Sequence, residues 1–270
     1  MRVLISADME GTTGVTGWTD VQPGQAAFER FRRLLTADVN AAVEGAFQGG
    51  ATEVVVNEAH DGMRNILIEE LDDRAEMISG LHKPLVMMEG VDACDVVFFV
   101  GYHAMAGEAG VLAHTLCGDY VTVELNGAAA SEARLNAALA GDVGIPVGLV
   151  TGDDVICSEA GKLFPGVKTA VVKYAIDNFS ARCLVPKAAA DRIREAARLA
   201  LVERNMLQPY RVGPPYEIRV TLREPSQAGA VAGLPGVNRE GPASVGFSGQ
   251  NFRELYALLE AIGIIAGTVR

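Results

Sequence analysis

The sequence predicts an α/β fold, with a largely parallel sheet in an N-terminal domain and a smaller α+β domain at the C-terminus. Three observations carry this. Short apolar runs that do not alternate (RVLISA, EVVVN, DVVFFVG) read as strands buried on both faces, as in a parallel sheet covered by helices. A long segment with helical spacing lies between the first two of these runs. After about Ala181 the texture becomes Ala/Arg-rich and then Pro/Gly-punctuated, which places the domain boundary at residues 1–183 and 184–270.

Arg2 to Ala7 is the first strand. Phe28 to Gln48 follows as a helix, with Phe28, Phe31, Leu35, Val39 and Val43 on one stripe and Gly49-Gly50 as its stop. Glu53 to Asn57 and Asp95 to Gly101 are the next two buried strands. Tyr120 to Leu125 is a strand ending in the Asn126-Gly127 turn signal, and Glu132 to Ala140 is a helix. Val147 to Thr151 and Val167 to Ile176 complete the strands of the first domain. The second domain holds a helix from Lys187 to Glu203, a period-two strand from Tyr216 to Leu222, a short strand from Ser244 to Phe247 and a closing helix from Phe252 to Ile265.

The 270 residues carry 23 basic and 34 acidic side chains, a formal net charge of -11. A chain of this length exposes about 11,000 Å² when folded out of about 41,000 Å² extended, enough for a sizeable core. The acidic balance argues against nucleic acid and anionic membrane as partners, since both need a positive footprint. Val3 to Ile5 is too short an apolar run for a secretory signal, and no segment approaches the ~20 apolar residues of a membrane span. Cys94, Cys117, Cys157 and Cys183 are widely spaced without a C-x-x-C pair, so free thiols in a reducing cytoplasm are expected.

Chemistry-bearing residues recur at one kind of place. Asp8 and Glu10 follow the first strand, His60 the second and His103 the third. Ligands of open α/β sheets bind outside the carboxyl ends of strands, so these loops bring two carboxylates and two imidazoles toward one crevice. Such a mixed oxygen and nitrogen set suits zinc, with manganese or iron chemically open. Each residue alone has a plain structural use: loop capping for Asp8 and Glu10, a bonded turn for His60, a first-turn acid for Glu132, a helix cap for Asp153-Asp154. Their coincidence favours a metal centre. Gly11, Gly14 and Gly17 form G-x-x-G-x-x-G, which lacks both the dinucleotide spacing and the P-loop lysine, so phosphate binding is a weak competing reading. His82 falls in a surface loop and is assigned no role.

Taken in order, Asp8-Met9-Glu10-Gly11, Val56-Asn57-Glu58-Ala59-His60, Gly101-Tyr102-His103-Ala104, Ala113-His114-Thr115 and Ser131-Glu132 give a chain that resembles the DppA-type D-aminopeptidase family of zinc-dependent hydrolases. The resemblance extends through Ile78-Ser79-Gly80, Met88-Glu89-Gly90 and Gly152-Asp153-Asp154 and loosens after about Val185. It implies two zinc ions per subunit held by Asp8, Glu10, His60, His103 and Glu132, with Asp8 as bridge and His114 as the catalytic histidine. It also implies hydrolysis of short peptides bearing a free N-terminal D-residue by metal-activated water, and a ring-like homodecamer enclosing the sites. Ser131 and Arg134 stand where the family has small glycines, and Asp61 is an additional acid beside His60. The alternatives are another dinuclear-metal amidase or phosphoesterase, or a non-enzymatic nucleotide- or metabolite-binding module.

Overall fold

The computed structural model describes residues 1–269. Twelve strands and seven helices follow in chain order: β1 (Arg2–Ala7), α1 (Trp18–Val21), α2 (Phe28–Gln48), β2 (Glu53–Glu58), β3 (Ala75–Ile78), β4 (Val96–Tyr102), β5 (Tyr120–Leu125), β6 (Ala128–Ala129), α3 (Glu132–Asp142), β7 (Val147–Asp153), α4 (Asp154–Leu163), β8 (Lys168–Asp177), β9 (Ser180–Cys183), α5 (Pro186–Val202), β10 (Tyr216–Leu222), α6 (Pro225–Val231), β11 (Asn238–Arg239), β12 (Ser244–Gly249) and α7 (Phe252–Thr268).

Seven strands form one sheet in the order β3-β2-β1-β4-β7-β8-β9. All neighbours in it run parallel except β8 and β9. The α/β expectation therefore holds. From β1 the chain adds β2 and β3 on one side, then returns to place β4 on the other, so the order reverses between β1 and β4. A crevice opens at such a reversal, outside the carboxyl ends of the two strands.

Side-chain alternation along these strands feeds two cores. Val3 and Ile5 of β1, with Val96, Phe98 and Val100 of β4, pack toward α2 and α5. Leu4, Val97 and Phe99 point to the opposite face, where α3, α4 and α7 lie. The length of α2 follows from its stripe: Phe28, Phe31, Leu35, Val39, Val43 and Ala46 are all buried.

The second sheet is antiparallel, in the order β11-β12-β10-β5-β6. Its central pairing sets Ile218 of β10 opposite Leu125 of β5. Strands from both sides of the expected 183/184 boundary thus share one sheet, and α5, from beyond that boundary, packs on the first sheet. A buried polar chain also crosses the interior. The Tyr256 hydroxyl donates to Asn136 Oδ1 at 2.7 Å, Asn136 Nδ2 donates to the Tyr102 hydroxyl at 2.9 Å, and that hydroxyl lies 2.7 Å from Ser6 Oγ. Among the described residues no helix is long and apolar enough to cross a membrane.

Candidate metal centre

The carboxyl ends of β1 and β4 are knitted tightly, and this fixes the first two acids. Asp8 N–H donates to Val100 O at 2.8 Å and Gly11 N–H to Gly101 O at 2.7 Å. A Cβ on Gly11 would lie 1.9 Å from Tyr102 O, and one on Gly101 would lie 2.1 Å from Asp8 O, where the backbone also has φ +74. Only glycine permits that approach. Gly11 therefore serves strand-to-strand packing.

Polar anchors hold the rest of the loop. Lys173, wholly buried on β8, donates from Nζ to the carbonyls of Glu10, Thr12 and Val15 at 2.5, 3.0 and 2.8 Å. Asp38 on α2 accepts from Thr13 N–H at 2.9 Å and Thr13 Oγ1 at 3.0 Å. After β2, the buried Glu58 accepts from Ile66 N–H at 2.5 Å and Asn65 Nδ2 at 3.1 Å, closing the turn that carries His60. Glu132 opens α3 immediately after the cap Ser131, whose Oγ accepts from Arg134 N–H at 3.0 Å. Glu132 keeps its predicted first-turn position, yet its side chain turns into the crevice.

All six residues singled out in the sequence converge there. His60 Nδ1 lies 2.9 Å from Glu10 Oε2 and 3.4 Å from Asp8 Oδ1. His103 Nε2 lies 3.4 Å from Asp8 Oδ2 and 3.3 Å from Glu132 Oε1. His114 Nε2 is 3.7 Å from Glu132 Oε1 and 4.0 Å from Glu10 Oε1. The rings of His103 and His114 stack with centroids 4.1 Å apart, and Trp18 meets His114 edge-on at 5.3 Å. Ligand atoms of Asp8, Glu10 and His103 fall within 4.8 Å of one another, as do those of His103, His114 and Glu132.

The outer nitrogens decide the protonation pattern. His60 Nε2 is 2.9 Å from Val21 O, His103 Nδ1 2.9 Å from Ala104 O, and His114 Nδ1 2.9 Å from Leu112 O. A carbonyl only accepts, so each of these nitrogens carries hydrogen. In the neutral ring the other nitrogen then presents a lone pair to the carboxylates. Facing lone pairs repel unless a cation stands between them, and a backbone partner on the far nitrogen is the usual support of a metal-binding histidine. Asp8 Oδ2 and Glu10 Oε2 are accordingly buried without a hydrogen-bond partner. This donor set fits a divalent cation.

Electrostatics point the same way. Burial, then the neighbouring Glu10, pushes the Asp8 carboxyl well up from its usual range. Burial also pushes Glu10 up, but His60 overrides it and holds Glu10 well below that range. Burial opposes charge on His103, while Glu132 and Asp8 raise it to about 10. His114 is pushed down by burial and by His103 beside it. The crowded negative charge thus holds protons on Asp8, His60 and His103, a demand that cations can meet instead.

The centre forms the floor of a cavity of about 530 Å³. Asp61, the additional acid seen in the sequence, also lines it, as do Lys83 and Glu260, for which the sequence carries little signal beyond an acid amid the apolar run of α7. His82, set aside in the sequence, is exposed at the mouth. Asp153 is the cap of α4, accepting from Val155 and Ile156 N–H, and takes no part in the centre.

The chain is similar to known proteins over nearly its whole length. A family model described as D-aminopeptidase matches residues 1–261. A D-aminopeptidase of Bacillus subtilis (strain 168) is 34% identical over 258 residues, covering 95% of this chain and 94% of its own. The solved structure of a Zn-dependent D-aminopeptidase, DppA from Bacillus subtilis, described as a self-compartmentalizing protease, superposes with a TM-score of 0.97. It is 32% identical and covers 100% of this chain and 99% of its own.

Proposed function

Because the chain belongs to the D-aminopeptidase family, whose model spans residues 1–261, we propose that it is a zinc-dependent aminopeptidase acting on short peptides with a free N-terminal D-residue. The observation that carries this is the convergence of three carboxylates with three imidazoles that each spend one nitrogen on a backbone carbonyl.

Asp8, Glu10, His60, His103 and Glu132 would hold two zinc ions, Asp8 as the bridge, because its two oxygens face different imidazoles. Zinc supplies a Lewis acid that polarises a carbonyl oxygen and lowers the pKa of a nearby water. His114 supplies the proton relay. Its Nδ1–H is fixed on Leu112 O, so Nε2 is free to take a proton from the attacking water and return it to the leaving amine. Trp18 packs edge-on against the ring.

Four free cysteines fit a reducing, cytoplasmic setting. We also infer self-assembly into a ring-like homodecamer, supported by the self-compartmentalizing relative, which would restrict access to short peptides.

The test is metal analysis together with hydrolysis of D- and L-alanyl dipeptides and amides by the same preparation. About two zinc ions per chain and preferential cleavage of D-substrates are expected. A protein that binds no divalent metal, or cleaves phosphoesters instead, overturns the reading.

A further inference from the structure

Helix α7 presents Ala257, Glu260, Ala261 and Ile264 to the cavity above the metal centre, a stripe at i, i+3, i+4 and i+7. Glu260 is its one polar member. Its Oε1 is buried without a hydrogen-bond partner, and among the described residues the carboxylate forms no salt bridge. Leu116 and Ile264 line the cavity beside it. An unpaired buried carboxylate is costly unless a cationic or donor group arrives to meet it. Asp61 lines the same cavity but is exposed, where water screens it.

The proposed reaction lacks a partner for one charge. Three carboxylates at the centre do not neutralise two divalent cations, so a substrate ammonium approaching it meets net positive charge. Another carboxylate in the same cavity removes that penalty. We propose that Glu260 binds the free α-ammonium of the substrate and so makes the enzyme specific for peptides with an unblocked N-terminus. This rests on the aminopeptidase reading above.

Ammonium recognition is separable from catalysis by comparing D-alanine with D-lactate, which replaces the ammonium by hydroxyl. Calorimetric binding to the zinc-loaded protein is measured for wild type and Glu260→Gln. The expected result is that D-alanine binding weakens about 10²-fold in the variant while D-lactate changes by less than about twofold. Hydrolysis of D-alanyl-D-alanine should fall mainly through a raised KM, with zinc content unchanged and Tm no lower than that of wild type. Equal weakening of both ligands, or of neither, overturns the role of Glu260. Should the Gln variant fold poorly, Glu260→Met, matched to the apolar surroundings, carries the same comparison. Wild type that cleaves no dipeptide of either hand refutes the aminopeptidase reading instead, because the binding comparison does not depend on turnover.

Discussion

The buried ammonium of Lys173 donates to the backbone carbonyl of Glu10 at 2.5 Å, tying β8 to the loop that supplies two acids of the centre. Two further carbonyls, of Thr12 and Val15, share it. Lys173→Met keeps the length but leaves three carbonyls unsatisfied, so we expect a loss of about 2–4 kcal/mol in urea unfolding. Zinc affinity should drop at least about 10-fold, since the loop supporting Glu10 loosens. Unchanged stability and affinity would show that water can replace the ammonium.

Asp38 gives a pH signature that does not involve the acids and histidines of the candidate centre. Burial raises its carboxyl from 3.8 to about 6 although Thr13 donates to it. Between these values the folded state holds a proton that the unfolded state has released. The contribution of Asp38 to stability therefore falls as pH rises from about 4 to about 6 and levels off above, by about 3 kcal/mol. Asp38→Asn can accept from Thr13 N–H and donate to Thr13 Oγ1, so it should flatten this slope and be at least as stable as wild type at pH 7. Urea titrations at pH 4.5 and 7 decide.

Asp8→Asn should reduce zinc to below about one ion per chain. Asp8 faces His60 through one oxygen and His103 through the other, so an amide, with one donor end, cannot serve both sides. Metal content after dialysis is the measurement. Retention of two ions would remove Asp8 from the bridging position.

His114→Ala should lower kcat by about 10² or more while zinc content stays near wild type. The structure sharpens this test, because His114 Nε2 is only 3.7 Å from Glu132 Oε1. Loss of zinc in the variant would transfer His114 to the ligands, and full activity would exclude a role in proton transfer.

Much of this was legible in the sequence, for identifiable reasons. Arg2–Ala7, Phe28–Gln48, Tyr120–Leu125 and Tyr216–Leu222 were bounded to the residue because glycines, turns or strict periodicity mark their ends. The helix Asp154–Leu163 is announced in the sequence by its cap, Asp153-Asp154, but not bounded, as ten residues behind a short acidic cap give little pattern. The sequence marks Tyr120–Leu125 as a strand of the first domain but not its pairing, because its partner Tyr216–Leu222 lies far along the chain and pairing leaves no local trace. The acids and histidines were visible through their position after successive strands. Lys173 and Glu260 were not, since a lysine within a strand and a glutamate on a helix look like ordinary surface residues until packing buries them.

The polar chain from Tyr256 through Asn136 and Tyr102 to Ser6 joins the last helix to the first strand. Together with the β5–β10 pairing, it ties the final third of the protein to the first two thirds. A fragment ending near residue 183 would lose both the middle of the antiparallel sheet and the wall of the cavity. In native-state hydrogen exchange, the amides of β5 and β10 should therefore become labile together with those of β1 and β4, in a single concerted opening.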